Sequence, residues 1–332
     1  MPGWHALEQR EGRGSAALEG SHALPLRCRA CHPRGLGDAR VVRLFAGRTN
    51  LLYSPAMTTA LDLDAYLARI GYAGPRQPTL ETLRGLHVGH THSIGFENLN
   101  PLLGLPVRLD LPALEQKLVH EGRGGYCYEQ NLLFRAALLQ LGFEVTGLVA
   151  SVMWMLPEGM STPRTHMILR VTIDGVDYLA DVGFGGPTLT GPIRLEAELE
   201  QATPHEPYRL IRQGSDFVLQ SLVRHHWQPL YRFDLQEQQH SDYEVGNWYV
   251  ATHPESLFVN TLLAARPAPG KRYALRNRDL AIHHLGGETE KRTLTSGSEL
   301  RETLETLFNL RVPQGAEVDA LLSRIAEQST KT

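Results

Sequence analysis

Asp174-Gly175 stands between two runs of alternating polarity, Thr165–Ile173 and Val176–Val182. An Asp-Gly loop of two residues suits a type I′ turn, whose central residues both need positive φ, and such turns join antiparallel strands. With those residues as the loop, Ile173 faces Val176, Arg170 faces Leu179 and Ile168 faces Asp181. One side of the hairpin then carries Met167, Leu169, Val171, Ile173, Val176, Tyr178, Ala180 and Val182, a core face. The other carries His166, Ile168, Arg170 and Thr172 against Asp177, Leu179, Asp181 and Gly183. A slip of one residue would exchange the two sets, so the buried face pins the register. In that register His166 and Asp181 are diagonal neighbours, roughly 7–8 Å apart between backbones, near enough for an imidazole N–H to reach a carboxylate.

Upstream, residues 123–131 read Arg-Gly-Gly-Tyr-Cys-Tyr-Glu-Gln-Asn. A helical stripe follows at Leu133, Phe134, Ala137, Leu138 and Leu141, and Gly142 supplies its stop. Cys127 therefore sits at a helix N-terminus, where unpaired N–H groups and the helix dipole favour the thiolate, the nucleophilic form. Taken singly, Cys127 reads as a small buried hydrophobe, and His166 and Asp181 as polar alternation on a surface strand. Taken together they supply a nucleophile, a proton acceptor and a carboxylate that fixes the imidazole tautomer.

These segments resemble the arylamine N-acetyltransferase family: Arg123-Gly-Gly-Tyr-Cys-Tyr-Glu-Gln-Asn131, Arg164-Thr-His-Met167 and Asp181-Val-Gly-Phe-Gly-Gly186. Ile94-Gly-Phe-Glu-Asn-Leu99 and Thr252-His-Pro-Glu-Ser-Leu-Phe258 resemble further family segments in the same order, so the likeness runs from about Met57 to the C-terminus. Gly95 departs from it, standing where the family usually has proline. The resemblance implies an acyltransferase in which Cys127 accepts the acetyl group of acetyl-CoA, His166 is its base and Asp181 stands behind the base. An arylamine or arylhydrazine then takes the acetyl group, a two-step exchange through acetyl-cysteine. It also implies an α+β fold with an N-terminal helical bundle, a central antiparallel β-barrel and a C-terminal α/β lid around a cysteine-protease-like core. Phe96 and Phe184 suit an apolar slot for a flat acceptor and equally suit plain core. Gly183 and Gly185 offer bare backbone to a thioester or pantetheine arm. Arg123 and Glu97 read as a charged pair bracing two segments.

The division expected along the chain is 57–142 helical with the nucleophile, 143–235 β-barrel with His166 and Asp181, and 236–332 α/β lid. Helical stripes fall at Leu63/Tyr66/Leu67/Ile70, Leu80/Leu83 and Leu114/Leu118. Strands are read at Val145–Met155, Phe217–Val223, Trp227–Phe233 and near Tyr273–Leu285, and final helices at Glu299–Phe308 and Ala316–Ala326. His87, His90 and His92, with the pairs His225-His226 and His283-His284, lack the partners a zinc site needs and read as exposed. No metal is expected.

Residues 1–56 hold eight arginines against four acids, no lysine, and the Cys28-Arg-Ala-Cys31 pair. They read as a disordered extension or as upstream sequence before a true start at Met57, the latter being preferred because Asp62 caps an amphipathic helix directly behind. The remainder carries 25 basic and 32 acidic residues, net −7, which argues against a nucleic-acid partner. No sustained apolar stretch reads as a membrane span. Cys127 is the lone cysteine after residue 56, which suits a reducing cytoplasm. Two other classes share parts of this pattern. One is a papain- or transglutaminase-like cysteine enzyme, or an amide synthase of the same family acting on a carrier-bound thioester; the other is a non-catalytic binding module, against which an intact triad speaks. Because residues 1–56 show no periodic apolar face, a protein shortened to begin at Met57 is expected to keep its melting temperature and its transfer rate. Side-by-side melting curves and rates check this, and a large drop in either overturns it.

Overall fold

The computed structural model describes residues 60–157 and 159–327, so the expectations for residues 1–56 lie outside the described residues. The first described helix, Leu63–Arg69, begins where the Asp62 side chain accepts the Ala65 N–H. Helix Leu80–Ser93 is capped the same way by Thr79. The Leu114/Leu118 stripe is carried by a short α-helix, Leu111–Glu115, that runs on as a π-helical segment, Gln116–His120. Helix Cys127–Gln140 is buried along most of its length and ends before Gly142, whose φ is +87°.

The strands are β1 (Phe96–Glu97), β2 (Glu144–Val152), β3 (Arg164–Ile173), β4 (Val176–Ala180), β5 (Ile193–Arg194), β6 (Glu200–Gln201) and β7 (Tyr208–Gln213). They continue as β8 (Asp216–Val223), β9 (His226–Phe233), β10 (Leu263–Ala268), β11 (Lys271–Arg276), β12 (Asp279–His284) and β13 (Thr289–Thr293). An eight-stranded antiparallel sheet runs β5-β4-β3-β2-β9-β8-β7-β6. Its ends nearly meet: the Arg194 N–H donates to Gln201 Oε1 (2.7 Å), and Gln201 Nε2 returns a bond to the Arg194 carbonyl (3.0 Å). The fold is α+β: helices, this barrel-like sheet and a second, five-stranded sheet.

The β3–β4 hairpin has the expected register, Ile173 opposite Val176 and Arg170 opposite Leu179. Asp174 and Gly175 turn at φ +50° and +75°, as a type I′ loop requires. The second face is buried as well, over most of its length. Met167, Leu169 and Val171 pack against the helices, while Ile168 and Leu179 lie inside the barrel with Tyr208, Leu219 and Tyr231. His166 and Asp181 share that interior face, so both are buried. The strand carries core on both sides, and its alternation is between two interiors.

The five-stranded sheet runs β1-β10-β11-β12-β13 and is closed over by the helices Gly297–Thr306 and Ala316–Glu327. Its edge strand, Phe96–Glu97, comes from the segment expected to be helical, and pairs Phe96 with Ala265 and Glu97 with Ala264. Asn98 fixes this crossing: its amide donates to the carbonyls of Phe258 (2.8 Å) and Thr261 (2.7 Å), and its Oδ1 accepts from the Leu263 N–H (2.8 Å). Two residues are too few to give a periodic signal, and long-range bonds define the strand.

Gly95 has its own reason here. A Cβ on it would stand 2.4 Å from the Phe308 carbonyl oxygen, a backbone atom. Gly95→Ala is therefore expected to lower stability by about 1–3 kcal/mol, an overpacking cost, and Gly95→Pro by at least as much although proline is usual there in the resembling family. Urea midpoints of the three proteins check this; a Gly95→Pro variant as stable as the parent overturns it.

Candidate active site

Residues 124 and 125 lead into the Cys127 helix through a narrow passage. A Cβ on Gly124 would lie 1.9 Å from the Gly95 carbonyl oxygen, so only bare backbone passes. Behind it the Glu129 carboxylate accepts the Tyr126 N–H (3.1 Å) and caps the first turn. Cys127 opens the helix and is 4% exposed.

β3 brings His166 to the same point, and the chain just beyond β4 brings Asp181. His166 Nε2 lies 2.7 Å from Asp181 Oδ2, so the diagonal pair closes as a direct hydrogen bond. Cys127 and His166 are both buried here, and the cysteine side chain is among the groups that act on the imidazole. Cys127 Sγ is 3.7 Å from the Thr165 carbonyl oxygen. Asp181 Oδ1 accepts from Asn131 Nδ2 (3.0 Å) and from the Gly183 N–H (2.9 Å). The Asp181 backbone N–H donates to His87 Nε2 (3.3 Å), and its carbonyl accepts from the Thr188 hydroxyl (3.2 Å).

The other expected site residues converge here too. A Cβ on Gly183 would meet Cys127 Cα at 2.7 Å, so glycine alone allows this strand end to approach the cysteine so closely. The half-buried Phe184 ring stands 5.1 Å from the His166 ring and 5.3 Å from Tyr231. Gly185 takes φ +98° and faces the Phe96 ring, which a Cβ on it would meet at 3.6 Å. Phe96 in turn tilts against Phe258, which stacks on Tyr126 at 5.2 Å. A separate cavity of about 750 Å³, lined by Arg69, Gly122, Arg123 and Arg311 among others, includes none of Cys127, His166 and Asp181. Among the described residues, no group of three or more His, Cys, Asp or Glu side chains could hold a metal ion.

A family model described as N-acetyltransferase matches residues 79–317. The arylamine N-acetyltransferase of Mycolicibacterium smegmatis is 47% identical over 272 residues, covering 81% of this chain and 98% of that protein. That of Escherichia coli is 43% identical over 263 residues, covering 78% and 93%. The structure of Mycobacterium marinum arylamine N-acetyltransferase in complex with CoA matches with a TM-score of 0.77 at 45% identity, over 80% of this chain and 99% of that one. The chain belongs to the arylamine N-acetyltransferase family.

Within this arylamine N-acetyltransferase chain, two residues that hold the acid escaped the sequence reading. Asn131 lies one turn beyond Cys127, on the same helix face, and its amide bonds both Asp181 and the Met167 carbonyl (2.8 Å). That spacing within the motif was the available signal. His87 carried none. The sequence predicts it and His90 to be exposed, yet both are fully buried, and burial pushes them down to about 4 and about 3. Each is neutral at pH 7. His90 donates Nε2–H to Gln130 Oε1 (2.7 Å) and accepts the Tyr66 hydroxyl at Nδ1 (2.9 Å). Gln130 passes the chain on to the carbonyls of Ile94, Gly95 and Gly125, bracing the approach to Cys127. Among the described residues, no helix is long and apolar enough to cross a membrane.

His166 behaves differently from those two. Burial disfavours its charge, but the Asp181 charge and hydrogen bond, then the Cys127 contact, overcome burial and raise it to about 10. Asp181 is lowered: burial would raise it, and His166, Asn131 and the Gly183 N–H outweigh that. Between pH 6.5, the ordinary histidine value, and about 10, the folded protein therefore holds a proton that the unfolded chain has lost. This contribution to stability is complete below pH 6.5 and disappears as pH rises through about 10. In Asp181→Asn, burial prevails, His166 is neutral and this slope vanishes. The variant is expected to be less stable by about 3–5 kcal/mol near neutrality, with the difference shrinking at high pH. Urea midpoints of both proteins across that range check it; parallel profiles overturn it.

Proposed function

We propose that this protein transfers an acetyl group from acetyl-CoA to arylamines and arylhydrazines by a ping-pong reaction through acetyl-Cys127. The observation that carries the reading is the buried set Cys127, His166 and Asp181, with Cys127 opening a helix and His166 hydrogen-bonded to Asp181.

In the first half-reaction the Cys127 thiolate attacks the thioester carbonyl, forming the new S–C bond. The bond from that carbon to the CoA sulfur breaks, and the protonated His166 gives its proton to the departing thiolate. Asp181 keeps the imidazole oriented and compensates its positive charge until then. In the second half-reaction the amine nitrogen attacks the acetyl carbon, the bond to Cys127 Sγ breaks, and His166 takes the amine proton. Enzyme and protonation state are both regenerated. Burial of Cys127 and His166 keeps water from the acetyl-cysteine, which would otherwise be lost to hydrolysis.

Substrate contacts follow from what surrounds the sulfur. Gly183 and Gly185 present main chain without side-chain bulk, suited to the acyl group and the pantetheine arm. Phe96 and Phe184 form apolar faces for a planar acceptor. The CoA bound in the related Mycobacterium marinum structure supports the donor assignment. In this reading residues 57–142 supply the nucleophile, 143–235 the base and acid, and 236–332 the covering lid. A reducing cytoplasm suits the buried free thiol, and the net negative charge of residues 57–332 is consistent with small-molecule partners only.

Intact-protein mass spectrometry tests the intermediate. Acetyl-CoA alone is expected to add one acetyl group, located at Cys127, and a subsequent arylamine to remove it; Cys127→Ala is expected to lose transfer altogether. An adduct on another residue, or an active Cys127→Ala protein, overturns the proposal.

A further inference from the structure

The loop from Gly183 to Thr188 forms one wall of the site, and its sequence gives it little stiffness. Three of its first four residues are glycine, and Gly185 uses a positive φ. Its internal bonds are few: the Thr188 N–H reaches the Gly185 carbonyl at 3.3 Å, and the Phe184 N–H reaches the Thr188 hydroxyl at 3.3 Å. Yet the loop must hold Phe184 beside His166 and keep the Gly183 N–H on Asp181.

The restraint comes from the other sheet. Arg272 on β11 is 4% exposed, and its guanidinium forks onto the Glu206 carboxylate, Nε at 2.9 Å and Nη2 at 2.7 Å from Oε2. Its remaining donors turn to the site wall. Nη1 donates to the Gly186 carbonyl (3.1 Å), and Nη2 also donates to the Tyr208 hydroxyl (3.1 Å). That hydroxyl lies 3.1 Å from the Pro187 carbonyl oxygen and 3.0 Å from that of Thr188. Three consecutive carbonyls, at residues 186, 187 and 188, are thereby held directly or through one hydroxyl. A guanidinium serving only to join β11 to Glu206 would not need to be aimed at them.

We infer that Arg272 is a positioning residue for the acceptor: from the five-stranded sheet it fixes the curve of the Gly183–Thr188 loop and so the place of Phe184 over His166. The inference rests on the acetyl-transfer reading. It assigns acceptor discrimination to a side chain that touches neither substrate nor the reacting atoms. Lysine cannot replace it, because one ammonium lacks the planar fork that serves Glu206, Gly186 and Tyr208 together. Tyr208 is the second member of the device, and its hydroxyl can be removed without disturbing the Arg272–Glu206 pair.

Arg272→Lys and Tyr208→Phe are compared with the parent, using acetyl-CoA as donor and two acceptors, a single-ring and a fused two-ring arylamine. Active sites are counted by the burst of free thiol that acetylation of Cys127 releases, so misfolded protein drops out of the rates. In Arg272→Lys the acceptor KM is expected to rise roughly tenfold, the scale of one or two lost hydrogen bonds. The burst rate should stay within about twofold, and the ratio of kcat/KM between the two acceptors should shift. Tyr208→Phe is expected to move the same quantities in the same direction by less. If the role were only structural, the variants would melt earlier and show fewer active sites, with acceptor KM and the selectivity ratio unchanged per site; that result overturns the inference. A parent protein giving neither burst nor transfer would instead sink the acetyl-transfer reading, which separates the two failures.

Discussion

Asp181 has no exposed surface, and a carboxylate in such a place stays ionised only if its surroundings replace the water it lost. Every neighbour of this group can be read as part of that replacement. His166 takes Oδ2, while Asn131 and the Gly183 N–H share Oδ1, so both oxygens are satisfied and one partner is a cation. The backbone of the same residue is tied by His87 on one side and Thr188 on the other. A charge so fully held raises His166 against the pull of burial, which neutralises His87 and His90 a short way off. One carboxylate thus decides which of the buried histidines near it is charged, and the chemistry proposed for the site needs that one.

The same economy of space explains why the motif is written in glycine. The Cys127 helix, the end of the barrel hairpin and the Gly95 segment meet within a few ångströms, and a Cβ at 95, 124 or 183 would collide with backbone atoms. Such contacts cannot be relieved by turning a side chain, so the sequence at these points is set by main-chain approach. Convergence of three segments also makes the site depend on both sheets. The short Phe96–Glu97 strand belongs to the five-stranded sheet but lies beside Gly125, two residues before Cys127, and Asn98 locks it there through three bonds to Phe258, Thr261 and Leu263.

Local patterns made the hairpin legible. An Asp-Gly turn between alternating runs admits one register when a face must be buried, and that register pairs His166 with Asp181 from local sequence alone. The helix behind Cys127 was equally plain from its stripe and its terminal glycine. Burial of the second hairpin face was not, because Arg170, Thr172 and Asp177 near the turn give it a surface composition while its far end runs into the barrel. Leu263–Ala268 and Thr289–Thr293 were not picked out as strands, the one short and interrupted by Pro267, the other short and three-fifths charged. His87 and His90 looked like surface histidines because nothing in a sequence distinguishes an exposed imidazole from one whose partners, Asp181 and Gln130, lie 94 and 40 residues away. The legible part was local geometry, and the remainder was held by bonds between distant segments.

A second buried charge cluster shows how closely the Cys127 helix is bound to this arrangement. Glu97 and Glu129 are both fully or almost fully buried, and two cations serve them. Arg123 goes to Glu97, with Nη2 at 2.6 Å, while Lys117 Nζ is 2.6 Å from Glu129 and 3.8 Å from Glu97. The division is unequal. Burial would raise Glu97, but both cations act on it and hold it below the usual carboxylate range. Burial raises Glu129 as well, Lys117 opposes that, and the Glu97 charge adds to the rise, so the net shift is upward. Glu129 is nevertheless the residue that caps the Tyr126 N–H in the turn bearing Cys127. The charged pair Glu97–Arg123, which by itself braces two segments, therefore also sets the conditions for the cap. It occupies Arg123 and places a negative charge near Glu129, leaving Lys117 as the only side-chain cation bonded to that carboxyl among the described residues. The first turn of the helix is held in place by a carboxyl whose ionisation depends on one lysine, and Lys117, on the π-helical segment, stands within 4 Å of both acids.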